Sequence, residues 1–330
     1  MPGLYPDVPV FHTEHLPVGD GHRLQVQHAG TPGGLPVLLL HGGPGSGQSP
    51  VIRRAFDPRL WHVIAPDQRG AGGSTPAGDT DHNTLPQLLA DLRALRAHLG
   101  LSHWLVVGGS WGATLALAHA VDEPQAIAGL LLRASFLARP ADIAAFFDPS
   151  GRPASAPWAG LAAAAGVSEP AAFAPALQQL FAHGSPAQQQ AAALAWAAWE
   201  QALAGQPSAS PTPTGSALAA LAALVQRYRV QSHWLAQGCG MDPPLLQRAA
   251  RAPAVPTLLL HADDDGICAP QGARALLAAL QARHADVQLR WATGAGHNPA
   301  HPAMAALQRL ALDHWAEHGR WPVPSAWGAA

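Results

Sequence analysis

"VVGGSWGATLALAHA", residues 106–120, places a serine between glycines at the end of an apolar run. The run Trp104–Val107 is rich in β-branched and leucine residues and reads as a buried strand. Gly108-Gly109-Ser110-Trp111-Gly112 then fits G-x-S-x-G, and Ala113–Ala120 reads as a helix. Strand, tight turn and helix is the context in which that motif presents a nucleophile. The turn forces the serine into a strained backbone conformation, and a neighbour larger than glycine would clash. A strand-to-helix turn that merely needs small residues has the same local pattern. The rest of the chain must therefore supply a base, an acid and oxyanion donors.

Outward from the elbow, short apolar runs recur, each closed by Gly, Pro or Asp: "PVLLLHGGPG", "WHVIAPDQRG", "IAGLLLRAS", "PTLLLHADDDG" and "VQLRWATGAGH". Helical patterns lie between several of them, such as "LPQLLADLRALRAHLG", with leucines at 85, 88, 89, 92, 95 and 99. Residues 10–30 read as a hairpin turning at "GDGH". The alternation predicts an α/β fold with a mostly parallel, doubly wound sheet, whose sites form outside the carboxyl ends of the strands. It breaks over 139–252, an alanine-rich region of helical pattern with a flexible loop expected at 205–216. The expectation is a core of residues 1–138 and 253–330 with a helical cap, 139–252, inserted between its two parts.

A chain of 330 residues with 48% hydrophobic and 12% charged residues can bury a large core. Its nineteen basic residues are all arginine, net charge is −2 and no basic cluster occurs, which argues against nucleic acid and anionic membranes as partners. Eighteen histidines are scattered without metal-ligand spacing, so neither a metal nor another cofactor is expected. The two cysteines, Cys239 and Cys268, make no disulfide framework. No apolar run of about 18 residues occurs, and "MPGLYPDVPVFHTEHLP" lacks the basic-then-apolar order of a secretory signal. A cytoplasmic location is the expectation; oligomeric state is not legible.

Three features complete the chemistry. "GAGHNP" sets His297 in a glycine-rich loop after the last expected strand, 287–292, where it can act as general base. "LLLHADDDG" ends a strand in acids, of which Asp265 is the choice to orient the histidine, with Asp263 and Asp264 as rivals. "HGGPG", 41–45, follows a strand, and the Gly43 N–H can pair with that of Trp111 as an oxyanion hole. The order Ser110, Asp265, His297 is that of an α/β-hydrolase. Asp67 and Arg69 of "DQRG" read as structural, holding the loop beside "HGGPG".

These segments, with "DQRGAGGS" and "GGSWGATLALAHA", resemble the prolyl aminopeptidases, or proline iminopeptidases: serine α/β-hydrolases that release N-terminal proline. The resemblance runs over nearly the whole chain. It implies that Arg133 and Phe136 of "LLRASF" border the proline pocket and that Glu200 of "WAAWE" binds the substrate's free α-amine. It aligns "ADDD" with the family's "GRYD", supporting Asp265, and puts Cys268 close to the triad. An ammonium entering a closed pocket must be paired or bear the cost of desolvation, so a cap carboxylate suits an aminopeptidase.

The chain also departs from the family. Where relatives carry a second amine-binding glutamate, in A-R-I-E-x-H-Y-F, this sequence reads "YRVQSHWL" and the position is Gln231. A charge pair at 4 Å in a medium of dielectric 20 is worth up to about 4 kcal/mol. Phe147 stands where tyrosine is expected and Ser46 where glycine is. The cap holds five acids (Asp142, Asp148, Glu169, Glu200, Asp242), any of which could restore the lost charge. The expected function is a serine exopeptidase acting on small peptides with a free N-terminus, proline first. The alternatives are an esterase or amidase with no free-amine requirement and, remotely, a ligand-binding pseudo-hydrolase.

Overall fold

The apolar runs form one eight-stranded sheet in the order β1-β2-β4-β3-β5-β6-β7-β8. The computed structural model describes residues 3–152, 155–205 and 215–327; most of the loop expected at 205–216 falls outside them. The strands are β1 (Val10–Gly19), β2 (His22–Gly30), β3 (Leu35–Leu40), β4 (Trp61–Pro66), β5 (Trp104–Gly109), β6 (Ile127–Arg133), β7 (Thr257–Ala262) and β8 (Val287–Ala292). β1 and β2 make the expected hairpin, β2 pairs antiparallel with β4, and every later pairing is parallel. The fold is therefore the mostly parallel α/β sheet that the strand–helix alternation predicts.

The central strands are apolar at nearly every position because both sheet faces are covered. In β3, Leu38 and Leu40 point into one core and Val37 and Leu39 into the other, as the period of two requires. The helices are α1 (Pro50–Arg53), α2 (Leu85–His98), α3 (Trp111–Asp122), α4 (Pro140–Phe146), α5 (Ser155–Ala165), α6 (Phe173–His183), α7 (Pro186–Leu203), α8 (Gly215–Ala236), α9 (Leu245–Ala249), α10 (Pro270–Gln281) and α11 (Pro302–His318). Helices α2, α3 and α10 pack on the Leu38 face, and α11 covers the Val37 face with Met304, Leu312 and Trp315.

Between β6 and β7 every regular element among the described residues is helical. Helix α7 starts on a reciprocal cap, Ser185 with Gln188, and has proline in its first turn. Aromatic rings lock it to its neighbours: Trp196 stacks on Tyr228 of α8 with centroids 4.6 Å apart, and Phe147, just after α4, packs against the same indole at 5.6 Å. This packing fixes the two helices that bring Glu200 and Gln231 over the strand ends.

Candidate active site

Ser110 sits at φ 57°, ψ −123°, outside the regions L-residues favour, which is the strain expected of a nucleophile elbow. Its N–H donates to the Arg133 carbonyl at 2.9 Å, tying the turn to the end of β6. The flanking glycines are needed for close approach. A Cβ on Gly108 would lie 2.1 Å from the Gly112 carbonyl oxygen, and one on Gly112 would lie 2.2 Å from that of Leu40. Strand β5, helix α3 and the end of β3 thus meet at backbone contact.

The loops after β7 and β8 bring the acid and base together. His297 Nδ1 lies 2.8 and 3.0 Å from the two carboxylate oxygens of Asp265. Asp263 and Asp264 instead accept the N–H groups of Gly294 and Gly296, at 2.9 and 2.8 Å, and so pin the histidine loop. Burial pushes the Asp265 carboxyl up, but the imidazole and two backbone N–H donors prevail and hold it at about 2. It is ionised at neutral pH and holds the proton on His297 Nδ1, leaving Nε2 as the basic nitrogen. Ser110 and His297 line one cavity, yet the hydroxyl's polar neighbour is Cys268 Sγ at 3.8 Å and no Ser110–His297 bond is made. Such bonds are often long without substrate and close in the complex.

Two side chains outside the expected set position the N–H groups of Gly43 and Trp111. The Gln68 N–H donates to His41 Nε2 at 3.0 Å, so the His41 proton is on Nδ1, which donates to the Gly42 carbonyl at 2.9 Å. A trans peptide sets C=O and N–H opposite each other, so this bond fixes the direction of the Gly43 N–H. The Gln68 carboxamide also donates to the His41 carbonyl at 3.0 Å and accepts from the Trp111 indole at 2.8 Å. The Trp111 N–H begins α3 and has no acceptor within the helix. Both residues lie inside motifs that the sequence singles out, but no motif reveals their bonding. Asp67 and Arg69 hold neighbouring backbone: Asp67 accepts from Gln48 and Gly73 N–H, and Arg69 forms a buried ion pair with Asp91 at 2.8 Å.

The cavity holds about 230 Å³, room for a group the size of one residue. Gly43, Ser110, Arg133, Phe136, Glu200 and Gln231 all line it. Phe147 does not; its neighbour Phe146 faces the cavity in its place. Arg133 is buried, and burial lowers its pKa while the Asp265 carboxylate pulls it back up. Burial, with the Asp265 charge, raises the Cys268 thiol well above its ordinary range, so it stays protonated. No group of three or more His, Cys, Asp or Glu among the described residues is placed to hold a metal.

Glu200 is not free. Its Oε2 accepts from the Arg227 guanidinium at 2.5 Å and the Tyr228 hydroxyl at 3.0 Å, and its Oε1 accepts from the Gln231 carboxamide at 2.7 Å. Of the five cap acids only Glu200 lines the cavity, and Asp142 is paired with Arg139 at 2.7 Å. Among the described residues no other acid lines the cavity, and the cation Arg227 does. Sequence reading passes over Arg227 and Tyr228 because a lone charge on a helix carries no periodic signal of its direction.

The alpha/beta hydrolase fold family matches residues 36–301. A proline iminopeptidase of Xanthomonas citri is 34% identical over 92% of this chain and 96% of its own length. That of Neisseria gonorrhoeae is 35% identical over 79% of this chain and 83% of its own. The crystal structure of a Mycobacterium smegmatis proline iminopeptidase superposes with a TM-score of 0.59 at 21% identity, covering 93% of this chain and 99% of that one, a likeness of fold. With matches of this length on both sides, the chain belongs to the proline iminopeptidase family of α/β-hydrolases.

Proposed function

We propose that the protein is a serine exopeptidase of the prolyl aminopeptidase type, acting on small peptides through an acyl-enzyme. One observation carries this: the Asp265–His297 pair, the strained Ser110 and Glu200, the one acid of 139–252 that lines the cavity among the described residues, converge on a space the size of one residue. Ser110 Oγ attacks the carbonyl carbon of the N-terminal residue as His297 Nε2 takes its proton. The Gly43 and Trp111 N–H groups hold the oxyanion. His297 then protonates the departing nitrogen, which leaves as the shortened peptide, and a water deprotonated by His297 releases the acid and restores Ser110. Phe136 and Arg133 border the bound ring, and Glu200 with Gln231 meets its nitrogen. In this reading residues 139–252 are a cap that closes over the site. No helix among the described residues is long and apolar enough to cross a membrane.

The test is release of p-nitroaniline from proline p-nitroanilide, compared with alanine p-nitroanilide, by the wild type and Ser110→Ala. Proline turnover that vanishes in the variant supports the proposal; turnover that survives in it removes Ser110 as nucleophile. A second reading, an esterase or amidase indifferent to a free amine, draws support from the Arg227–Glu200 ion pair.

A further inference from the structure

Excluding the triad, three charged side chains line the cavity: Arg133, Arg227 and Glu200. Their formal sum is +1. Arg133 feels the Asp265 charge, whereas Arg227 is bonded to Glu200, so an entering ammonium would be the second cation on that one carboxylate. That carboxylate already accepts three hydrogen bonds, one of them from a guanidinium at 2.5 Å. The Arg227 group is held from behind as well, with its guanidinium carbon 5.0 Å from the centroid of the Tyr228 ring. Gln231 is buried, and its carboxamide oxygen has no donor among the described residues. A buried acceptor without a donor is costly, and this one belongs to a residue that lines the cavity.

We propose that Arg227 is the specificity-determining residue of the site: it stands where the substrate's cation would be needed, so the site reads the N-terminal nitrogen as a hydrogen-bond donor and not as a charge. Gln231 Oε1 and the remaining lone pair of Glu200 Oε1 accept that donor. The acyl groups favoured are uncharged, and an N-terminal ammonium gains little over a neutral ring that carries an N–H at the same place. This rests on the serine hydrolase reading above and narrows its substrate class. An uncharged Gln231 and a cationic Arg227 act in the same direction, both lowering the site's attraction for a second cation.

Inhibition by pyrrolidine-2-boronic acid and cyclopentylboronic acid, read through hydrolysis of p-nitrophenyl acetate, tests it. Both place boron on Ser110 and differ in the ring nitrogen alone. Comparing their ratio of inhibition constants across variants cancels the intrinsic difference in boron acidity. Arg227→Gln and Arg227→Met are expected to shift the ratio at least tenfold towards the amine, while Arg227→Lys, which keeps the charge, stays within about threefold of wild type. Thermal melts identify which neutral variant is folded, and one suffices. A folded neutral variant with an unshifted ratio overturns the proposal. So does a wild type that cleaves proline p-nitroanilide more than a hundredfold faster than 5-oxopyrrolidine-2-carbonyl p-nitroanilide, whose ring keeps an N–H but carries no charge. Failure of the peptidase reading looks different: no Ser110-dependent cleavage of proline p-nitroanilide, with the boronate comparison still readable.

Discussion

Substituting Gly112 by alanine moves the oxyanion donors without touching a reacting group. The added Cβ falls 2.2 Å from the Leu40 carbonyl oxygen and 2.8 Å from that of His41, where ordinary contact begins at 3.4 Å. Neither neighbour is the free end of a side chain; both are backbone at the end of β3, whose Leu40 is registered against Gly108 of the elbow strand. The end of β3 and the start of α3 must therefore separate by about 1 Å, carrying Gly43 away from Ser110. Overpacking of this kind costs about 1–3 kcal/mol of stability, a fall of a few degrees in Tm. A misplacement of about 1 Å at the reacting groups costs roughly a hundredfold in rate. The expected result for Gly112→Ala is a folded protein whose kcat on its best ester or anilide falls about a hundredfold, with KM changed far less. Steady-state kinetics and a thermal melt, run side by side, measure both. A variant that melts normally and keeps kcat within threefold of wild type would refute the claim that backbone contact at Gly112 sets the spacing of the site.

Asp265→Asn removes the charge that fixes the His297 tautomer, and kcat is expected to fall by about 10⁴, checked by single-turnover kinetics. The same residue links stability to acid. Its folded pKa, about 2, lies below the ordinary 3.8, so its stabilisation is complete above pH 4 and is lost as pH falls through 2. Urea unfolding at pH 5, 3 and 2 should show the wild type losing about 2 kcal/mol that Asp265→Asn does not lose. Asp91→Ala leaves the buried Arg69 with the partly exposed Asp20 as its one remaining carboxylate and should cost about 3 kcal/mol by urea denaturation, while a paired change of both residues to leucine and methionine should cost less.

The fold was legible because its signals are local and repeated. Each parallel strand is a short apolar run closed by turn residues, and the loaded segments sit at the carboxyl ends of those runs, where such sheets place sites. The Asp265–His297 contact was readable for the same reason, since strand ends β7 and β8 are sheet neighbours. Three acids in a row were not separable by sequence. Only burial and reach distinguish Asp265 from Asp263 and Asp264, which fasten the histidine loop through its backbone. The acyl end of the cavity was the least legible. Family likeness points to Glu200, but the side chains that hold it come from the next helix, where Arg227 and Gln231 lie four residues apart on one face. Nothing in the pattern of "YRVQSHWL" says that the arginine just before it turns inward. His41 and Gln68 were hidden differently: they stood inside recognised motifs, but their part is to aim backbone groups.

The Gln68 carboxamide binds the His41 carbonyl and the Trp111 indole at once, so one side chain braces the segments that carry both proposed oxyanion donors. These loops, with those of Asp265 and His297, grow from the sheet, whereas Phe146, Glu200, Arg227 and Gln231 stand on helices inserted between β6 and β7. The bond-breaking apparatus and the selection of what is broken are thus built from separate stretches of chain. A lineage can rewrite the second by exchanging a few residues of two helices, and the first goes on working unaltered, which makes this architecture a reusable engine with an interchangeable mouth.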